Sequence, residues 1–443
     1  MSAGERTQAR LDRIAKPLRA LGRLEELIVQ LAEIQGTEDV RISPRCALVF
    51  CGDHGVVAEG VSQSGSEVTA LVARAIAEGT SNVSLMAAAS GTDVLAVDMG
   101  MLEDVPGVLD HKVARGTANM ACGPAMTRAQ AEQALAAGCA LVGEMKAKGY
   151  RLIATGEMGI GNTTACAAMA CALLGLAPQE AAGRGAGLSD EGLMRKREAI
   201  ARALAVNRPD SSDPVDVLAK VGGLEIAGMA GAFMGGMEHR VPIVIDGVIS
   251  AVAALTAARI CPEARAYMLP SHRSREPAAQ RILEELNLHP VLDADMALGE
   301  GTGAVALLPL LDMALAVYHG RTRLTGWAWR RIRRRRDRHD RAGDGRQRLR
   351  QVHLGGAPDC IHAGGTTRLH RYHAGLRRGI RQAGGAPPRA AGASGLCDHR
   401  VRAESGGGGH PAGQRRAAGG SGESRGERDV FRRGCVADRA CPA

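Results

Sequence analysis

The sequence predicts an α/β fold built on a doubly wound, mostly parallel sheet, and three observations predict it. Short apolar runs of strand length alternate with longer runs of helical periodicity, as at residues 46–51 and 67–79, or 150–154 and 165–176. The connections between them are short. Acidic residues recur where the strands end, at Asp53, Asp98, Glu157 and Asp246, and this carboxyl edge is where open parallel sheets bind ligands.

Each element follows from its local pattern. Residues 10–35 place Leu24, Leu27, Ile28, Leu31 and Ile34 at helical spacing, with Gly36 as a stop, so the stretch predicts one packing helix. Residues 46–51 predict a buried strand that ends in Gly52-Asp53-His54-Gly55, either a ligand-facing pair at the sheet edge or a capped turn. Residues 67–79 predict a helix with Ser66 as its cap. A strand over 93–98, an irregular stretch over 105–127 and a long helix over 128–148 come next. Past the centre of the chain, helices are predicted over 191–204, 224–237, 251–258, 276–287 and 305–318. Strands are predicted over 241–245 and 266–269.

The centre is the run Gly156-Glu157-Met158-Gly159-Ile160-Gly161-Asn162-Thr163-Thr164, between a predicted strand and an Ala-rich helix. A Gly-rich turn at a helix N-terminus presents backbone N–H groups and a positive dipole end, which suits a phosphate. The spacing is nearly that of a P-loop, but Asn162 stands where a P-loop has lysine, so the reading is a monophosphate site and not an NTPase. A tight turn with a capped helix fits the stretch equally well. A second Gly-rich loop, residues 183–187, leads into the helix that carries Lys196, which either reaches a phosphate or faces solvent. Glu300 lies between Gly299 and Gly301 at a helix start. It is either a helix cap or a carboxylate in an apolar pocket, where burial would raise its pKa and make it a usable base.

Composition narrows the function. The 443 residues are 45% hydrophobic, enough for two or three domains, and only 2% aromatic, which disfavours nucleic-acid binding by base stacking. Eleven cysteines include no C-x-x-C pair, and thirteen histidines show no metal-ligand spacing. No metal and no cofactor is therefore expected. With no signal peptide and no uninterrupted membrane-length apolar run, a cytoplasmic protein without membrane or nucleic-acid partners is expected. The net charge of +9 is concentrated after about Gly320, where arginine blocks such as 333–336 and glycine blocks such as 406–409 replace apolar periodicity.

Taken together, these motifs resemble the nicotinate-nucleotide–dimethylbenzimidazole phosphoribosyltransferases. The matching stretches are Leu21-Gly22-Arg23-Leu24-Glu25, the segment from Gly52, residues 116–120, 155–164 and 183–196, Asp246-Gly247, Ser271-His272-Arg273-Ser274 and residues 298–304. The resemblance covers roughly residues 10–320. It implies a Rossmann-like domain over 41–320, a small helical domain built from both chain ends with 1–40 as its N-terminal part, and a homodimer. It implies transfer of a 5-phosphoribosyl group from nicotinate mononucleotide to a benzimidazole-type base in cobamide synthesis. By motif, Glu300 is then the general base and Glu157 a second carboxylate. Gly159, Ile160, Gly161, Asn162, Thr163, Thr164 and Lys196 hold the ribose phosphate, and Asp246 and Ser271 line the nucleotide site. Ser62, Ser64, Ser66 and Leu298 are expected at the base.

Two departures stand out. Lys16-Pro17-Leu18-Arg19-Ala20 replaces a Lys-Pro-x-Gly-Ser pattern. Residues 62–66, Ser-Gln-Ser-Gly-Ser, replace one with an aromatic and a glutamine, so base choice is expected to depart from strict dimethylbenzimidazole preference. Residues 321–443 are expected to be a disordered tail read out of frame. Back-translated with GC-rich codons and shifted by one base, residues 343–354 spell a P-loop resembling the start of adenosylcobinamide kinase/guanylyltransferase. Two other readings stand beside the enzyme: a non-catalytic nucleotide-binding module of the same fold, and a nucleic-acid-binding protein acting through the arginine tail.

Overall fold

The computed structural model describes residues 1–320. The expectations for residues 321–443, the basic arm and the out-of-frame tail, lie outside the described residues. In chain order the described elements are helices α1 (Ala3–Leu11) and α2 (Arg23–Gln35), strand β1 (Arg45–Gly52), α3 (Glu67–Ala77), α4 (Asn82–Ala89), β2 (Asp93–Gly100), β3 (Leu109–Asp110), α5 (Arg128–Ala147), β4 (Leu152–Met158) and α6 (Asn162–Leu174). They continue with α7 (Pro178–Ala181), α8 (Asp190–Asn207), α9 (Pro214–Val221), α10 (Leu224–His239), β5 (Ile243–Ile245), α11 (Val248–Ile260), β6 (Met268–Pro270), α12 (Ala278–Glu285) and α13 (Thr302–His319).

The six strands form one sheet in the order β3-β2-β1-β4-β5-β6, and every adjacent pair is parallel. The chain winds outward from β1 in one direction and from β4 in the other. The crevice between β1 and β4, at their carboxyl ends, is therefore the topological switch point. β1 shows why the central strands read as unbroken apolar runs. It is buried along its whole length, and its side chains part by period two. Cys46, Leu48 and Phe50 enter the core on one face of the sheet, while Ala47, Val49 and Cys51 enter the core on the other. A strand covered by helices on both faces has no solvent side to carry polar residues.

The second of these cores also holds Leu11, Leu27, Ile28 and Leu31 from the chain start and Leu307, Leu308 and Leu311 from α13. The two ends of the described chain meet there. The Tyr318 hydroxyl is 2.9 Å from the Glu38 carbonyl and 3.3 Å from Thr7 Oγ1, and the Arg10 guanidinium stacks 4.3 Å over the Tyr318 ring. Helix α13 is 18 residues long and apolar, yet just over half of it is buried. Its Asp312 takes a bidentate bond from the buried Arg45 at 2.8 and 2.6 Å, which ties the start of β1 to the last described helix.

Several elements differ from expectation. The single helix expected over 10–35 is two, because residues 12–22 contain Pro17, which has no N–H to give, and two left-handed residues, Arg19 and Gly22. Ser66 makes no side-chain cap to α3, being itself in a helical conformation. Helix α4, helix α9 and the two-residue edge strand β3 were not expected at all.

Candidate active site

The site is built where β4 hands over to α6. Gly161 sits at φ +100°, a left-handed conformation that L side chains rarely adopt, and a Cβ there would press on His54 and Val57. This turn points the N-terminus of α6 at the switch-point crevice. Three of its N–H groups are already committed: Ile160 donates to Thr69 Oγ1 at 3.1 Å, Asn162 to the Gly159 carbonyl at 3.1 Å and Thr164 to the Gly161 carbonyl at 2.9 Å. What remains for an anion is the helix dipole, Thr163 and the charge behind it. That charge is Lys196, fully buried on α8, whose Nζ donates to Thr163 Oγ1 at 2.8 Å and to the Gly183 carbonyl at 3.1 Å. Burial pushes the Lys196 ammonium below its ordinary range, against the pull of Glu276.

Glu300 arrives from the other side. Gly299, Glu300 and Gly301 are three successive left-handed residues, at φ +83°, +60° and +92°. Glu300 is the strained member, since a non-glycine residue there costs on the order of 1–2 kcal/mol. The turn is over-determined by its surroundings. The Asp246 carboxylate accepts from the N–H groups of Gly301 at 3.2 Å and Ala304 at 2.9 Å, and Thr302 Oγ1 donates to the Gly299 carbonyl at 2.8 Å. On β4, a Cβ at Gly156 would come within 2.5 Å of the Glu300 carbonyl oxygen, so only glycine lets the turn lie against the strand. The Glu300 carboxylate reaches the N-terminus of α4, accepting long bonds from the Val83 N–H at 3.3 Å and Asn82 Nδ2 at 3.4 Å.

Glu157 closes the constellation from the end of β4. Its carboxylate accepts from Asn162 Nδ2. Burial, helped by the negative charges of Asp246 and Glu225, pushes its pKa up to about 8. Burial thus makes Glu157 a weakly acidic carboxyl group.

Between these groups lies a cavity of about 280 Å³. Glu157, Glu300, Gly159, Ile160, Asn162, Thr163, Ser64 and Leu298 line it. Val68 and Val72 of α3 and Val248 and Ile249 of α11 add an apolar wall. The other expected residues stand behind the lining. Gly161 and Thr164 shape the turn, and Lys196 acts through Thr163. Asp246 is spent on the α13 N-terminus, and Ser271 Oγ donates to the Ile245 carbonyl at 2.6 Å. Ser62 Oγ accepts from the Ser64 N–H at 3.2 Å, and Ser66 precedes α3. Asp53 is a loop cap, accepting from the Leu102 N–H at 2.8 Å, and its neighbour His54 is buried in a 2.7 Å pair with Glu225.

Sequence reasoning missed Asn82 and Val83, which meet Glu300. It also missed Glu276, whose Oε1 accepts from the Gly185 N–H at 3.1 Å, and gave no role to the pocket-lining His272 and Ser274 of the 271–274 motif. One signal for the first pair was present: Ser81, whose Oγ caps α4 by accepting from the Ser84 N–H at 3.2 Å.

Comparison with known proteins gives this geometry a family. A family model described as phosphoribosyltransferase matches residues 1–325. A nicotinate-nucleotide–dimethylbenzimidazole phosphoribosyltransferase of Ruminiclostridium cellulolyticum is 45% identical over 317 residues, covering 71% of this chain and 90% of the relative. One of the same name from Escherichia coli is 40% identical over 321 residues, covering 72% and 89%. The crystal structure of the Thermus thermophilus enzyme of that name superposes with a TM-score of 0.67 at 44% identity, over 72% of this chain and 96% of that one. The extent of these matches and the all-parallel sheet they share show that the chain belongs to the nicotinate-nucleotide–dimethylbenzimidazole phosphoribosyltransferase family.

Proposed function

We propose that this chain transfers the 5-phosphoribosyl group of nicotinate mononucleotide to 5,6-dimethylbenzimidazole or a related base, giving α-ribazole 5′-phosphate and nicotinate. The observation that carries the reading is one cavity lined by two carboxyl groups of unlike environment and by a helix N-terminus backed by a buried lysine. In this reading the phosphate rests on Thr163 and the first turn of α6, with Lys196 supplying charge through the threonine hydroxyl. The heterocycle packs against Val68, Val72 and Leu298. One ring nitrogen attacks the anomeric carbon as the bond to nicotinate breaks. The bonding pair returns to the pyridinium nitrogen, which makes nicotinate a leaving group that needs no metal. Glu300 takes the proton from the other ring nitrogen of the base. Glu157, protonated at neutral pH, is a neutral acid beside it, so the two carboxyls do not repel. Asp246 and Ser271 serve this nucleotide site by holding the turn and the strand end beneath it. Ser62 and Ser66 serve the base by shaping the loop that presents Ser64.

We extend the reading to a homodimer, which the exposed Leu71 and Leu85 support, and light scattering of the purified chain tests it. Six of the seven described cysteines are buried, and none of the seven is in a disulfide, which supports a reducing, cytoplasmic setting. The activity is tested by supplying nicotinate mononucleotide and dimethylbenzimidazole and measuring nicotinate and the riboside phosphate. The native chain is expected to form both. Glu300→Gln is expected to lower kcat by about 10²–10⁴-fold with the KM for the nucleotide little changed. A full-rate variant would refute the assignment of the base.

A further inference from the structure

On the face of the molecule formed by α5 and α10, three different metal-binding side chains converge. They are Cys139 of α5 and the adjacent pair Glu238 and His239 at the end of α10. One ligand atom from each, the thiol sulfur, a carboxylate oxygen and an imidazole nitrogen, lie within 4.8 Å of one another. Nothing in the reaction uses them. α10 ends here and leads into the amino end of β5, so the cluster sits on the side of the sheet opposite the carboxyl-edge cavity.

The cluster is pre-organised by its helices. α5 and α10 pack backbone to backbone: a Cβ at Gly138 would fall 1.8 Å from the Gly228 carbonyl oxygen, and one at Gly231 2.0 Å from that of Leu135. One turn beyond Cys139, a Cβ at Gly143 would fall 2.8 Å from His239 Nε2, so the missing side chain of Gly143 makes the seat for the imidazole. Lys146 Nζ donates to the His239 carbonyl at 2.6 Å and holds the end of α10 onto α5. The Cys139 thiol points at Glu238 Oε2 across 3.2 Å. In a tetrahedral zinc site, bond lengths of about 2.3 Å to sulfur and 2.1 Å to oxygen put those two ligand atoms about 3.6 Å apart. The pair already stands at nearly that spacing, and a side-chain rotation of His239 completes three corners.

We propose that Cys139, Glu238 and His239 form a binding site for a borderline-soft divalent cation of the zinc type, which pins α5 to α10. Soft sulfur with imidazole and carboxylate selects against magnesium and calcium. Three protein ligands leave the fourth corner to water. On binding, the thiol gives its proton to solvent by way of the neighbouring carboxylate, and the sulfur–metal bond takes its place. The ligands lie 99 residues apart on two helices, which is why no spacing in the sequence announces them.

The test uses the full chain, freed of metal with a chelator and titrated with cobalt(II) as the probe. Expected is a thiolate-to-cobalt charge-transfer band that saturates at one equivalent and is displaced by zinc. It is expected to vanish in Cys139→Ser. It should require at least tenfold more cobalt in His239→Ala and in Gly143→Ala, whose methyl group occupies the imidazole seat. Zinc should raise the melting temperature of the native chain and leave that of Cys139→Ser unmoved. No thiolate band, or a band that persists in Cys139→Ser because other cysteines hold the metal, overturns the proposal. Should Cys139→Ser fail to fold, the half-exposed His239 decides: unaltered cobalt affinity in His239→Ala overturns it.

Discussion

At the scale of single residues, two carboxyl groups face one cavity from unlike surroundings. In an unfolded chain Glu157 titrates near its ordinary value of 4.5, and in the folded chain near about 8. Between those values the folded protein holds a proton that the unfolded chain has released. Stability from this group is therefore fully present below about pH 4.5 and is lost progressively as pH rises through about 8. Glu157→Gln removes the titration. Denaturant melts across that window are expected to show a native stability that declines with pH more steeply than the variant's; parallel curves would contradict the burial argument. Both glutamates stood out in the sequence by their glycine neighbours, Glu157 at a strand end and Glu300 at a helix start. That Glu157 is pushed up was not legible, because it depends first on burial and then on Asp246 and Glu225, all supplied only by the fold. His54 shows the same limit from the other side. It stands in a conspicuous Gly-Asp-His-Gly segment, yet its partner is Glu225, 171 residues away.

At the scale of elements, the turn 299–301 and the strand β4 are one machine part. Asp246 fixes the turn from below and Gly156 admits it from the side. Gly156→Ala is expected to displace Glu300 and to lower kcat/KM by at least tenfold, with a melting temperature that falls by only a few degrees. Unchanged kinetics in a folded Gly156→Ala would separate the turn from catalysis. The loop at 62–66 carries a second prediction. It contributes only Ser64 to the cavity, and no Phe, Tyr or Trp is found among the lining residues. A competition assay is therefore expected to show benzimidazole and adenine used alongside dimethylbenzimidazole, since an apolar wall discriminates a methyl group by only about 1–3 kcal/mol, roughly 10–200-fold. Exclusive use of dimethylbenzimidazole would refute it. Long helices such as α5 and α8, and the unbroken apolar run of β1, were legible from the sequence. Helix α4 was not, because its apolar and small residues show no one-sided stripe, and β3 was not, because two residues carry no period.

At the scale of the whole molecule, strand–helix alternation was enough to predict the doubly wound sheet, and the acids at strand ends marked its binding edge. The order of the strands was not legible, because it is set by crossovers and not by any local pattern. Nor was the way the chain ends join: Tyr318 reaches Thr7 and Glu38 through contacts about 300 residues long. The change in composition after about Gly320 lies within five residues of where the family match ends, at 325. Every residue of the proposed site lies before it.

The central claim is that Glu300 accepts the proton of the incoming base. It is tested most directly by comparing Glu300→Gln with the native chain on two bases, dimethylbenzimidazole and its dichloro counterpart, whose N–H is more acidic. Taking the variant-to-native rate ratio for each base cancels differences in nucleophilicity. If Glu300 is the base, the acidic substrate needs it less, and the ratio is expected to be at least tenfold closer to one with the dichloro compound. An equal loss on both bases would contradict the account and leave Glu300 a binding group.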